Sequence, residues 1–445
     1  MKKLRYFALL ALIPLFIKST PLWASPDMAR EGALVKDPTG RLYKLIKGHP
    51  DLIIDHRTSA QFEVYGPLGT IQWLNQIGAH PHSFAEDFNH SQKIAVGYPS
   101  PEEIEDQLKE ITQKYSKIMK LISIGQTSSG RDIWVVKISD NPEEDELEPE
   151  VKYIANMHGD EIVGREMMIR FLRDMGSLYM KSDKAISTLV NHTEIFIMPS
   201  MNPDGAARKR RGNSGWKDLN RNFPDFSTRD NQNDSHGREE ETVAVMNWQD
   251  QRNFTLSANF HGGTKVVNYP WDTSSKVAPL TQLIISLSKE YADQVPGFYD
   301  STEFEGGIVN GNEWYEVDGG MQDWSYYYYN DLQVTIELSH SKWPNYKYMD
   351  QFFQDNKKAL YQFLRRSHQG HGLSFQSRDA KSVEVINSQT KKIIGKYPVR
   401  NQQFYKVLPQ GKYQFIIEWS DGSKISKDIE VSFDPSKLSP KYLFL

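Results

Sequence analysis

Apolar positions recur with two periods between residues 98 and 368. Val151-Lys152-Tyr153-Ile154-Ala155 is a β-type run, and the stretch 163–180 carries Met167, Met168, Phe171 and Leu172 at helical spacing. Ser100-Pro101-Glu102-Glu103 reads as a capping box with proline at the first helical position. Ile104, Leu108, Ile111, Tyr115 and Ile118 then line one face of the helix it opens. Strand-like runs at 121–124, 132–138, 194–198, 256–260 and 332–338 alternate with helical patterns at 242–251, 279–294 and 356–368. That rhythm predicts an α/β domain, a mixed twisted sheet with helices on both faces.

The rhythm changes at both ends. Beyond Gly372 only short runs remain, at 382–386, 403–407, 413–419 and 425–431, with turns at Pro409-Gln410-Gly411 and Ser420-Asp421-Gly422. No helix fits there, so a small all-β sandwich is expected. Before residue 97, the runs 43–46, 52–54 and 61–65 read as strands and 71–77 as a helix. His80-Pro81-His82 reads as a solvated turn, and the acidic run Glu143-Glu144-Asp145-Glu146 as a solvated loop. The expected layout is a segment 1–24, a leader-like α/β segment 25–96, the α/β domain 97–370 and the sandwich 371–445.

Composition narrows the setting. Lys2, Lys3 and Arg5 precede an apolar run from Phe7 to Phe16, and Ala24 stands at a plausible cleavage point. This is the layout of a secretory signal peptide, too short to span a bilayer. A secreted or periplasmic protein is expected, with no stable membrane anchor once the segment is removed. The 445 residues include no cysteine, so core burial rather than disulfides must hold the chain. Residues 1–24 hold four basic and no acidic side chains, which takes the formal charge of −4 for the whole chain to −8 for the remainder. A mildly acidic protein argues against nucleic acid as partner and suits cationic ligands.

Candidate chemistry gathers where strands end. His158 and Glu161 lie between the run 151–155 and the helix that follows, the usual place for a binding crevice in an open α/β sheet. Imidazole and carboxylate suit zinc, and a catalytic zinc takes three protein ligands and keeps one position open. His261, at the end of another strand-like run, is the candidate third ligand. Singly, such residues are common; the ordered set of motifs gives them weight.

NMHGDEIVGRE (156–166), PSMNPDG (199–205), DLNRNFPD (218–225), NFHGG (259–263), GGMQDW (319–324) and TIELS (335–339) follow one another along the chain. In these motifs the sequence resembles the zinc metallocarboxypeptidases, in the branch containing carboxypeptidases N, E, M and D. The resemblance covers about residues 98–368, and the tail resembles the transthyretin-like sandwich of that branch. It implies one Zn2+ per chain on His158, Glu161 and His261, with Glu337 as the catalytic carboxylate that moves a proton from water to the leaving amine. It implies that Arg211 polarises the scissile carbonyl and stabilises its oxyanion. Arg210, its neighbour in Arg208-Lys209-Arg210-Arg211, is the alternative. Asn220 and Arg221 match the pair that grips the substrate's terminal carboxylate, and Tyr315 the tyrosine that closes over it. Asp272 and Gln322 match residues of an acidic pocket that favours C-terminal Arg or Lys.

The expected function is zinc-dependent removal of basic residues from peptide or protein C-termini. Two rivals are a peptidase for cell-wall peptides ending in a diamino acid and a non-catalytic peptide-binding relative. The presence of every matched catalytic position disfavours the second.

Overall fold

The computed structural model describes residues 29–84, 97–434 and 437–445, so the expected signal segment 1–24 lies outside the described residues. β1 (Glu31–Lys36), β2 (Ile53–Asp55), β3 (Gln61–Gly66) and β4 (His82–Ser83) form an antiparallel sheet in the order β2-β3-β1-β4. Helices Arg41–Ile46 and Thr70–Gln76 accompany it. The expected strand at 43–46 is thus wrong. Tyr and Ile favour strands, but Leu42 and Ile46, four apart, bury on one side of a helix. His80 and His82 are exposed, and His82 opens the short β4.

The central sheet is built from β5 (Met119–Gln126), β6 (Asp132–Ile138), β7 (Glu150–Ala155), β8 (Glu194–Met198), β9 (Phe254–His261), β10 (Lys265–Tyr269), β11 (Ile308–Asn310) and β12 (Leu332–Leu338). Its order is β11-β10-β12-β9-β7-β8-β6-β5. The inner pairs β8/β7, β7/β9 and β9/β12 are parallel, while β10/β12, β6/β8 and β5/β6 are antiparallel. Successive residues feed opposite faces: Val151, Tyr153, Ile195 and Ile197 join one core, whereas Ile154, Phe196 and Met198 join another. Helices Pro101–Lys114, Val163–Met180, Thr281–Ala292 and Met349–Arg365 cover the first face, and Glu240–Asp250 and Met321–Tyr329 the second. The capping box is made as expected: Glu103 N donates to Ser100 Oγ at 3.2 Å and Ser100 N to Glu103 Oε2 at 2.7 Å. The expected last helix begins at Met349 rather than 356. β10 and β11 escape a pattern reading because runs of five and three residues carry little periodicity.

The tail forms two sheets. β13 (Gly370–Ser374), β16 (Gln403–Val407) and β19 (Tyr442–Phe444) make one, in the order β16-β13-β19. β14 (Ala380–Asn387), β15 (Ile393–Pro398), β17 (Gly411–Trp419) and β18 (Lys424–Val431) make the other, ordered β15-β14-β17-β18. Leu373 and Phe404 of the first pack with Val383, Phe415 and Ile417 of the second, which makes a sandwich. Among the described residues no helix is long and apolar enough to cross a membrane.

Candidate active site

β7 ends at Ala155, and the chain turns at Asn156 with φ +56°, a left-handed conformation that asparagine tolerates better than most residues. The Asn156 amide donates to the carbonyls of His158 (2.9 Å) and Glu161 (3.3 Å), which fixes the loop. Gly159 passes so close to the neighbouring chain that a Cβ would stand 2.1 Å from Gly205 C and 2.5 Å from Arg210 O. Gly159→Ala should therefore push the loop off the 203–211 segment. The expected cost is about 1–3 kcal/mol or more, as in overpacked cores, with weaker zinc binding. Thermal unfolding and metal titration of the variant check this.

The loop delivers two of the expected ligands to the third. His158 Nδ1 lies 3.0 Å from Glu161 Oε2, His261 Nδ1 lies 2.9 Å from the same oxygen, and the two Nδ1 atoms are 3.1 Å apart. All three side chains are buried. Two imidazole nitrogens and a carboxylate oxygen converging on one point fit a zinc ion. The outer nitrogens are held as ligating imidazoles require. His158 Nε2 donates to Asp218 Oδ1 at 3.0 Å, and His261 Nε2 lies 2.7 Å from the Asn259 side-chain amide. Turning that amide places Asn259 Oδ1, otherwise without a partner among the described residues, on the Nε2–H.

Strand register supplies the neighbouring carboxylate. In the parallel β9/β12 pair Glu337 stands directly beside His261. It is buried, and its Oε2 has no hydrogen-bond partner among the described residues. Arg211 reaches the same crevice: Nε donates to Asp218 Oδ2 at 2.9 Å and Nη1 to Glu161 Oε1 at 3.4 Å. Arg210 instead lies over the Trp216 ring, 3.8 Å from its centroid. Of the two arginines left open by the sequence, Arg211 faces the site. Burial pushes the Asp218 carboxyl up, but the Arg211 guanidinium outweighs it and keeps Asp218 well below the usual carboxylate range. Asp218 also accepts from Asn220 N at 2.9 Å and so caps the short turn Leu219–Arg221. Pattern reading gave Asp218 no role, although it sits inside DLNRNFPD.

Asp272 lies beyond these groups and is buried. Its Oδ1 accepts from Asn268 Nδ2 at 3.0 Å and Gln322 Nε2 at 2.9 Å, both neutral amides. A Cβ on Gly311 would fall 1.6 Å from the same oxygen, so only glycine fits there. Asp272 N and Thr273 N donate to Asp323 Oδ2 at 2.8 and 2.9 Å, which fixes the turn. Asn268 and Asp323 also escaped the sequence reading. A Cβ on Gly320 would stand 3.6 Å from Asn220 Oδ1 and 3.8 Å from Asp272 Oδ2, so the expected carboxylate grip and side-chain pocket adjoin.

Tyr315 is brought to the same crevice, but its hydroxyl bonds Asp55 Oδ1 from the N-terminal sheet. Asp55 and His56 were not among the expected site residues. No local signal marks an Asp-His pair some hundred positions before the first ligand.

A family model described as zinc carboxypeptidase matches residues 104–359, more than half of the chain and every crevice residue named above except Asp55 and His56. The chain belongs to the zinc carboxypeptidase family. Carboxypeptidase E of Caenorhabditis elegans is 33% identical over 425 residues, covering 82% of this chain and 90% of its own. Carboxypeptidase SOL1 of Arabidopsis thaliana is 40% identical over 288 residues, 63% of this chain and 58% of its own, so the chain spans under two thirds of that relative. The fold of this zinc carboxypeptidase homologue is that of the carboxypeptidase A from Helicoverpa armigera. The TM-score is 0.60 at 16% identity, with 77% of this chain and 98% of that one covered. Members of the family are peptide hydrolases that use one zinc ion.

Proposed function

We propose that the protein is an exported zinc carboxypeptidase that removes C-terminal Arg or Lys from peptides and proteins. The observation that carries the basic preference is Asp272, a buried carboxylate whose side-chain donors among the described residues are the neutral amides of Asn268 and Gln322. A substrate guanidinium or ammonium is the natural counter-charge for it. The side-chain arrangement then divides the work. His158, Glu161 and His261 would hold zinc, which when bound acidifies water and polarises a carbonyl. Glu337 takes the proton of the attacking water and returns it to the leaving amine. Arg211 stabilises the oxyanion. Asn220 and Arg221 hold the terminal carboxylate, the guanidinium supplying two parallel donors, and Tyr315 closes over it. Residues 1–24 act as an export signal, and the tail from 371 is a transthyretin-like domain.

The test is a set of peptides differing only in the last residue, each as free acid and amide, with and without chelator. Arg- and Lys-ended free acids should be cleaved. Amidated forms should be poor, chelator should abolish turnover, and zinc should restore it. Equal cleavage of amides and acids would remove the carboxypeptidase reading. Stronger cleavage of a wall peptide ending in a diamino acid would favour the cell-wall rival.

A further inference from the structure

β7 and β8 run parallel and both begin with a glutamate, Glu150 and Glu194. β7 leads from Glu150 to the zinc-binding loop, so its start lies roughly 17 Å from that loop at the rise of a strand. At this far end the loop 140–149 brings six carboxylates together in two adjoining groups. One holds Asp145, Glu150 and Glu194, the other Asp140, Glu146 and Glu148, and in each the oxygens lie within 4.8 Å of one another. Glu146 N joins the groups by donating to Glu194 Oε1 at 3.0 Å. The acidic run 143–146, expected as a solvated loop, thus sets Asp145 against two buried glutamates.

Among the described residues two side-chain cations answer the six carboxylates. Lys137 Nζ bonds Glu194 Oε1 at 2.5 Å, and Arg252 Nη1 lies 3.1 Å from Asp145 Oδ1. Glu194 is fully buried, at 0% exposure, and its Oε2 accepts no hydrogen bond among the described residues. A buried carboxylate oxygen without a donor is costly unless positive charge reaches it. Arg252 Nη1 stands 3.9 Å from that oxygen while it holds Asp145, so both carboxylates face one point. Burial, helped by Glu146 and Asp140, pushes Glu148 up to about 8, and burial pushes Glu150 up to about 8 against the Arg252 charge. Positive charge is in short supply here.

The donors around that point are all carboxylate oxygens, with no imidazole or thiolate, a set that suits a hard cation rather than zinc. Magnesium demands a tight octahedron, whereas calcium accepts about six to eight oxygens in irregular arrangements. Two glutamates fixed at strand starts and one aspartate on a loop fit the second. We infer that Asp145, Glu150 and Glu194 form a calcium site that fastens the loop 140–149 to the base of the sheet. The ion takes the point held by Arg252 Nη1. The arginine side chain, 22% exposed and lying over the Phe196 ring, swings outward to admit it. The same site reaches the C-terminal sandwich. Glu150 Oε2 accepts from Asn253 N at 3.0 Å, the Asn253 amide donates to the Arg400 carbonyl at 3.3 Å, and Asn401 Nδ2 lies 3.5 Å from Asp145 Oδ2. Calcium therefore stabilises the junction of the two domains and is separate from the zinc of the crevice.

The test uses the full zinc-loaded chain dialysed into calcium-depleted buffer, with zinc content measured before and after. Calorimetric titration with CaCl2 should show a single site with Kd at or below about 1 mM, the range of extracellular calcium modules. Saturation should raise Tm by about 2 °C or more. MgCl2 should do less, and NaCl at matched ionic strength should not reproduce the shift. Asp145→Asn and Glu194→Gln should each weaken calcium binding by about tenfold or more, since each removes a ligand charge. Arg252→Gln, which removes the competing guanidinium, should tighten it. Glu143→Gln, which breaks only the exposed pair with Lys120 at 2.5 Å, should leave it unchanged. No binding up to about 10 mM CaCl2 would overturn the site. So would an equal shift in NaCl, which is charge screening alone, or binding that both carboxylate variants leave intact, which puts calcium elsewhere on the chain. If Glu194→Gln does not fold, Asp145→Asn decides, because that side chain is 41% exposed and its loss spares the core.

Discussion

Glu337→Gln should lower turnover by roughly 10²–10⁴ while zinc content stays the same. Register sets this expectation, because Glu337 stands beside His261 across β9 and β12 and has a buried Oε2 with no hydrogen-bond partner among the described residues. Glutamine keeps the size and much of the packing but cannot accept and return a proton. The three candidate ligands do not include Glu337, so metal binding should survive. The quantities to measure are kcat on an Arg-ended peptide and bound zinc, in the unaltered chain and in the variant. Normal turnover would remove Glu337 from the chemistry. Loss of zinc together with activity would make it part of the metal site.

Asp272→Ala should depress cleavage after Arg or Lys by one to several orders of magnitude. Leaving one charge of a desolvated pair without its partner typically costs about 2–5 kcal/mol. Cleavage after Leu should change little or improve, since no cation has to be desolvated. The decisive quantity is the ratio of kcat/KM for an Arg-ended and a Leu-ended peptide; if it survives the substitution, Asp272 does not select the side chain. The same ratio should depend on pH. Burial pushes the Asp272 carboxyl up to about 7, against the Asn268 hydrogen bond and the positive charge of Arg221. Below that pH the empty pocket holds a neutral acid, so the advantage of Arg over Leu should shrink as pH falls through about 7 and be full above it.

The sequence by itself determined the alternating α/β domain, the all-β tail and the residues able to form a metal triad. Those features are carried by local periodicity and by motifs whose residue types the chemistry restricts, and neither needs long-range information. It did not determine the helix at Arg41–Ile46, where strand propensity and helical spacing conflict over six residues and only burial of Leu42 and Ile46 decides. Nor did it separate Arg210 from Arg211. The two are adjacent and chemically identical, and the choice depends on a Trp216 ring that takes one and an Asp218 carboxylate that takes the other. Asn268 and Asp323 became visible only when β10 and the helix Met321–Tyr329 came together around Asp272. Asp55 and His56 had no signal at all, because what gives them meaning is contact with Arg211, Tyr315 and Glu337, more than 150 residues away along the chain. Chemistry written into residue type and spacing is legible in one dimension; which side chain fills a crevice is set by packing, and only the tertiary structure decides it.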